Sequence, residues 1–455
     1  MLQMLRSFRV SNYKSILTDQ ELHLGPTLPD SAFDPLTVAA LYGANASGKS
    51  NLLDALRWAA DKVSDSPVQQ LLTGDSSLRT PFKLSPEGLA APTVAEFGFA
   101  IAGVDYSYGF ALDDERFIEE WLYAYPNRRK RILVEREQET IRIGQSVENH
   151  REIAKLVKQV RQDRSVFTVL RDLDVPQLDA VRSWFDGLVL SGPLGTVFWG
   201  RADLEATIED DPLLVELARK ADLGIRDIEI AERIREPREI DLREAAALES
   251  RIPDLRKRAE SQFDKRKRER DINRIQERAS QLRAPRVERQ LMFLHGDSLV
   301  PLTLGEQSSG TIAFLLQMAQ LAKLLNRGGV MVADEIESSI HPRLLARIIE
   351  LFHDPETNPK GAQLIFSTHD TSLLGTSLGE PVLRRDEVWF VEKNTEGASE
   401  LSPLSDFKPR KGENQERRYL GGAYGAVPDV DTGSLLDIFK RYGREAPAGE
   451  APSTT

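Results

Sequence analysis

Apolar residues along this chain change rhythm several times, and each change marks an element. Residues 36–42 are a mostly apolar run that suits a buried strand, and Leu52, Leu53, Leu56 and Ala60 recur at helical spacing after a short polar turn. Upstream, residues 5–10 and 22–24 suit short strands leading to that turn. Residues 60–95 are richer in Ser, Pro, Gly and Leu and predict a loop with short helices. Four strand candidates follow at 97–101, 106–112, 118–125 and 131–135, separated by turn-forming clusters, which predicts an antiparallel meander.

From about residue 150 to 285 the period turns helical with few strand signals. Leu248, Ile252, Leu255 and Ala259, then Ile272, Ile275, Ala279 and Leu282, keep three-to-four spacing over too short a stretch for a long coiled-coil arm. A helical hairpin or small helical insertion is expected. Strand signals return at 290–294, 330–333, 363–367 and 387–392, with helices at 311–325 and 342–352 between them. Pro342 stands at the first helical position of the second, followed by Leu344, Leu345, Ile348, Ile349 and Phe352 on one face. Alternating strand and helix predicts a parallel sheet. The fold class is therefore α/β, a mixed sheet with a parallel core, an antiparallel meander and a helical or short coiled-coil insertion.

With 455 residues the chain has room for two or three structural units and a large core. It has no cysteine, which excludes disulfides, thiolate metal sites and cysteine nucleophiles, and its six histidines form no HExxH or other zinc spacing. No stretch reaches the ~20 continuous apolar residues that span a bilayer, and the opening residues lack the regions of a signal peptide. A soluble, cytoplasmic protein without membrane partners is expected. The net charge of −11 argues against a sequence-independent nucleic-acid coat. Residues 251–289 nevertheless concentrate Arg256, Lys257, Arg258, Lys265, Arg266, Lys267, Arg268, Arg270, Arg274, Arg278, Arg283 and Arg286. That stretch is either a DNA-contacting face or a solvated helix face with internal ion pairs.

The polar turn after residue 42 carries the clearest chemistry. Gly43, Ala44, Asn45, Ala46, Ser47, Gly48, Lys49 and Ser50 match G-x-x-x-x-G-K-S, a phosphate loop, with Asn51 continuing into the helix. Backbone N–H groups of the loop would wrap the phosphates of ATP, Lys49 would reach the β and γ oxygens, and Ser50 would hold Mg²⁺. The apolar run before Asp334 and Glu335 puts two acids at the end of a buried strand, where Asp334 would meet the metal through its water shell and Glu335 would act as general base. Ser367, Thr368, His369 and Asp370 end the next apolar strand, so His369 would lie at the same sheet edge and bond the γ-phosphate. Ser308, Ser309, Gly310 and Thr311 open the helix at 311–325. They read either as a simple N-cap or as a second anion site, and a second anion site suits a nucleotide shared between two subunits.

The order of these motifs, with Glu337, Ser338 and Ser339 after the acids and the opening Phe8 to Ile16 segment, resembles the ABC-type ATPases of the SMC, RecF and OLD group. The resemblance covers residues 1 to about 145 and 288–395. It implies head-to-tail dimerisation around two ATP molecules, with residues 307–311 as the signature turn that contacts the γ-phosphate of the opposite subunit. It also makes Glu337 to Ser339 the D-loop and His369 the switch histidine. The glutamine of the usual Q-loop is unassigned, Gln69 and Gln70 being the candidates nearby. The signature reads Ser-Ser-Gly where the transporter class has Ser-Gly-Gly, and the missing long coiled coil disfavours chromosome-scale action.

Trp121 to Tyr125 and the Arg418 to Pro428 segment look like stand-alone AAA_15/AAA_21-like ATPases of bacterial anti-phage and abortive-infection systems, the RloA/AbiL-like and AriA-like proteins. That narrower resemblance implies an ATP-driven sensor or scaffold, a dimer or higher oligomer, controlling a separate effector, frequently a nuclease. The alternative is a RecF-like DNA-repair ATPase; a transporter ATPase fits less well. The residues after the last strand candidate are too few for a fused nuclease of TOPRIM type, so the effector is expected on another chain. The expected organisation is 1–145 (N-terminal lobe), 146–287 (helical insertion), 288–395 (C-terminal lobe), 396–443 (extension) and 444–455 (disordered tail).

Overall fold

The computed structural model describes residues 2–28, 31–64, 78–171, 175–190, 213–220, 223–253, 262–297, 300–379, 381–408, 413–427, 433 and 436–440. The chain opens with β1 (Gln3–Ser11), β2 (Gln20–His23) and β3 (Val38–Tyr42), and β3 runs into the helix Lys49–Ser64. The meander follows as β4 (Thr93–Ile101), β5 (Val104–Leu112), β6 (Phe117–Tyr125), β7 (Arg131–Glu137) and β8 (Thr140–Ile143). Then come β9 (Leu188–Leu190), β10 (Ile225–Arg235), β11 (Arg286–His295), β12 (Leu302–Thr303), β13 (Val330–Ala333), β14 (Gln363–Ser367), β15 (Val388–Lys393) and β16 (Ser399–Pro403).

Two compact units are present, residues 1–197 with 321–455, and residues 198–320. In the first, an antiparallel sheet has the order β2-β1-β4-β5-β6-β7-β8, and a second sheet has the order β16-β15-β3-β14-β13-β9. In that second sheet β15, β3, β14, β13 and β9 are parallel, and β16 is an antiparallel edge. The two sheets are built from different patterns for a physical reason. β3, β13 and β14 are buried at every residue, as parallel strands covered on both faces must be. β4 alternates instead, turning Ala95, Phe97, Phe99 and Ile101 inward.

The core of this unit includes the apolar face of the helix Lys49–Ser64 (Leu52, Leu53, Leu56, Ala59, Ala60) and an aromatic cluster from the meander and the helix Pro176–Asp186. Trp184 stacks on Phe99 with centroids 4.2 Å apart, and Phe185 meets Phe97 edge-on at 5.4 Å. A buried amide joins the sheets: Gln363 accepts from the Leu5 N–H (2.6 Å) and donates to the Leu5 and Leu36 carbonyls (both 2.8 Å). The fully buried Glu120 is likewise satisfied, accepting from Ser165 Oγ (2.7 Å) and from the backbone of Val166 (2.7 Å) and Phe167 (3.0 Å).

The compact units divide the chain at other places than 145, 287 and 395. Helices His150–Leu156, Val166–Arg171 and Pro176–Asp186, inside the stretch read as an insertion, bury Ile153, Phe167, Leu170 and Trp184 in the core of the first unit. In the second unit β10 and β11 form a long antiparallel ribbon extended by β12. β10 escaped the reading of 150–285 as helical because most of its side chains are exposed, so backbone pairing and not an apolar alternation defines it. The helices Glu239–Glu249 and Gln262–Arg283 pack together through buried Ala245, Ala279 and Leu282 and an Arg283–Glu249 ion pair at 2.5 Å. Of the basic residues singled out above, Arg256, Lys257 and Arg258 lie outside the described residues, as do Gln69, Gln70 and residues 444–455. Among the described residues no helix is long and apolar enough to cross a membrane.

Phe99 is fully buried at the centre of the Trp184 stack, which makes it a direct test of the aromatic cluster. Phe99→Ala should lower unfolding stability by about 3–5 kcal/mol, read from urea denaturation followed by tryptophan fluorescence, since Trp184 stacks on the deleted ring.

Candidate active site

Parallel pairing gives the ends of β13, β14, β3 and β15 one common edge, where ligands collect in open α/β sheets. The phosphate-loop sequence leaves β3 at that edge, Asp334 and Glu335 leave β13, His369 follows β14, and Lys393 ends β15. A cleft of about 400 Å³ is lined by Asn45, Ala46, Ser47, Gly48, Lys49, Ser50, Asn51, Glu335, His369 and Lys393. Residues far apart in the chain are thus brought to one cavity.

The loop itself is tightly determined. Ala46 and Gly48 both take positive φ, +63° and +115°. A Cβ at Gly48 would collide with Ser399 Oγ, so only glycine fits there. Ser399, buried on β16, donates to the Ser47 carbonyl (2.6 Å) and lies 2.8 Å from Ser15 Oγ, which also accepts from Asn51 Nδ2 (2.7 Å). Ser15 and Ser399 therefore clamp the loop from its outer flank. Gly43 packs against the Val391 carbonyl of β15 with no room for a side chain.

Lys49 is buried, and its ammonium donates to the carbonyls of Gly43 (2.8 Å) and Ala44 (3.1 Å). Burial pushes the Lys49 pKa down, opposed by the nearby carboxylates of Asp334, Glu335 and Glu337. A cation held this way gains from any further negative charge brought into the cleft. Ser47 Oγ is buried without a hydrogen-bond partner, and the Ser50 side chain is exposed at the helix start.

Across the cleft, Ser367 Oγ donates to Asp334 Oδ1 and accepts from the Glu335 N–H (2.8 Å). Asp334 is half-buried by this arrangement and does not line the cleft, whereas Glu335 is exposed to it. Glu335 adopts the left-handed conformation (φ +50°, ψ +56°), a costly choice for glutamate that redirects the chain immediately after the strand. The His369 N–H donates to Glu337 Oε1 (2.6 Å), tying the segment after β14 to the one after β13. Ser308, Ser309 and Gly310 belong to the second unit and are exposed. There Ser308 Oγ accepts from the Thr311 N–H (3.0 Å), an N-cap for the helix Ser309–Arg327.

The Gly- and Tyr-containing segment near the C-terminus packs behind the loop. Tyr419 stacks on Phe390 (5.4 Å) and meets Tyr42 edge-on (5.6 Å), and Tyr424 also stacks on Phe390 at 5.2 Å. Burial raises the Tyr419 pKa, and a hydrogen bond with the Gly43 backbone works against that rise. The Ala426 N–H donates to Glu392 Oε2 (3.2 Å), fixing the segment to the end of β15. Its tyrosines are packing elements of the first unit. Ser15, Ser367, Ser399 and Lys393 were not singled out as site residues, since isolated serines and a lone lysine carry no spacing signal until the strands are paired.

A family model named AAA_21, described as "AAA domain, putative AbiEii toxin, Type IV TA system", matches residues 38–375. Among solved structures, the Smc head domain of Pyrococcus furiosus, with an extended coiled coil and bound to the C-terminal domain of ScpA, is 13% identical. That match covers 97% of this chain and all of that one, with a TM-score of 0.39. The Smc head domain of Pyrococcus yayanosii, with a coiled coil and joint, is 12% identical over 93% of this chain and all of that one, with a TM-score of 0.35. No curated protein matches.

Because a methyl group at position 48 meets Ser399, Gly48→Ala should leave the circular dichroism spectrum unchanged. Its affinity for a nucleoside triphosphate, by titration calorimetry, should fall by more than about tenfold.

Proposed function

The chain belongs to the AAA_21 family of AAA-type ATPase domains, and from that membership we propose that it binds and hydrolyses ATP in the strand-edge cleft. The observation that carries this reading is the common cavity: phosphate loop, Glu335 and His369 line one cleft. Loop N–H groups and the N-terminus of the helix Lys49–Ser64 supply donors for the phosphates, and Lys49 supplies a buried positive charge. Glu335 orients and deprotonates the attacking water, and His369 donates to the γ-phosphate.

The donor set fits Mg²⁺. Ser50 offers a hydroxyl and Asp334 a carboxylate held by Ser367, and hard oxygen ligands shared with phosphate are what this ion takes. Among the described residues no group of three or more acids or histidines could hold a metal ion. When bound, Mg²⁺ neutralises charge on the β and γ oxygens.

We further propose that two copies close head-to-tail, each offering Ser308, Ser309 and Gly310 to the nucleotide of the other. The exposed, N-capped turn supports this, since its donors face solvent within one chain. The biological reading is a sensor or scaffold of an anti-phage, abortive-infection system that holds or releases a separate effector, a nuclease by class, in the cytoplasm. Its support is the description of the matched family together with the C-terminal segment.

Glu335→Gln should retain ATP, lower turnover by about 10²–10⁴-fold and shift the protein to a dimer in ATP and Mg²⁺. Light scattering after gel filtration reads the dimer, and Ser308→Arg should abolish it. A monomer under all conditions would overturn the head-to-tail model. Tagged Glu335→Gln, purified from its native host, should bring down a stoichiometric effector protein, and the same substitution should alter phage plating. DNA eluting without any protein partner would instead favour the RecF-like alternative.

A further inference from the structure

Lys393 lines the cleft and has no part in the reading above. It is the last residue of β15, whose register with β3 pairs Val388 with Ala40, Trp389 with Leu41 and Phe390 with Tyr42. Continuing that register brings Lys393 level with the phosphate loop. Along a strand successive side chains alternate, and Glu392 is engaged by the Ala426 N–H on the C-terminal segment. Lys393 is exposed in the cleft, and among the described residues no acid pairs with its ammonium.

Its position across the sheet assigns which end of a nucleotide it meets. The strand order β15-β3-β14-β13 places Lys393 on one flank of the phosphate loop and the residues after β14 and β13, His369 and Glu335, on the other. Neighbouring strands lie ~4.8 Å apart, so the ends of β15 and β13 are separated by about 14 Å. The hydrolytic end of a triphosphate lies with Lys49, Glu335 and His369. Lys393 is therefore on the nucleoside side. The same flank holds Asn51, which bonds Ser15, and Ser15 lies against Ser399. Ser399 is the direct β16 partner of Lys393 and also holds the Ser47 carbonyl, so the β15–β16 hairpin fixes where Lys393 starts relative to the loop.

We infer that Lys393 is a second phosphate-binding lysine of this cleft, contacting the α-phosphate of the bound nucleotide from the flank opposite Glu335. This rests on the ATP-site reading. Its chemistry is a charge-assisted bond from a flexible ammonium to a non-reacting phosphate. Such a contact is equal in ground and transition states, so it strengthens binding without accelerating hydrolysis.

The test is titration calorimetry of the full chain with ADP and with a non-hydrolysable ATP analogue, plus steady-state ATPase kinetics. Lys393→Ala should weaken both ligands by the same factor, about tenfold, and raise KM while kcat stays within about twofold. Lys393→Arg should restore binding to within about threefold of the wild type. Wild-type affinity of Lys393→Ala for both ligands would overturn the inference, as would a loss confined to the triphosphate analogue, which would put the lysine at the γ end. A wild-type chain that binds neither ligand would instead overturn the ATP-site reading, which separates the two failures.

Discussion

The parallel pairing of β3 with β14 on one side and β15 on the other is the constraint from which the rest of this molecule follows. Parallel strands point their C-terminal ends the same way, so loops that are remote in sequence must emerge together. The pairing is held by full burial of β3 and β14 and by Gln363, whose amide satisfies backbone groups of β1 and of residue 36. A buried amide with three good partners tolerates little sliding, because a shift would leave each group unpaired.

From that edge the chemistry is divided between two flanks. On the side of β14 and β13, Ser367 holds Asp334 and the Glu335 backbone, while Glu337 holds the segment carrying His369. On the side of β15 and β16, Ser399, Ser15 and Asn51 hold the loop, and the tyrosines of the C-terminal segment cover Phe390 and Tyr42. The strained backbone at Ala46 and Glu335 sits between these supports. Such strain persists only where surrounding contacts over-determine it, and here hydroxyl bonds to the backbone do so.

Lys49 is a buried cation lining the cleft. Burial disfavours its charge, and the carboxylates of Asp334, Glu335 and Glu337 support it. Glu335 and His369 are exposed and line the cleft, while Asp334 is half-buried and accepts a hydrogen bond from Ser367.

Much of this was legible in the chain alone. The buried run at 36–42, the glycine-rich turn and the helical spacing after it specify strand, loop and helix, because a phosphate loop is a local structure whose residue types follow from its own backbone. The apolar runs before Asp334 and Ser367 likewise announce buried parallel strands, and the strand candidates from 97 to 135, separated by turn-forming clusters, announce the meander. The tertiary structure alone decided that Ser15, Ser367 and Ser399 brace the site, that Lys393 enters the cleft, that helices within 150–186 join the core of the first unit, and that exposed β10 is a strand. These depend on pairing between distant segments, and a polar side chain on an edge carries no periodic signal of the neighbour it will meet.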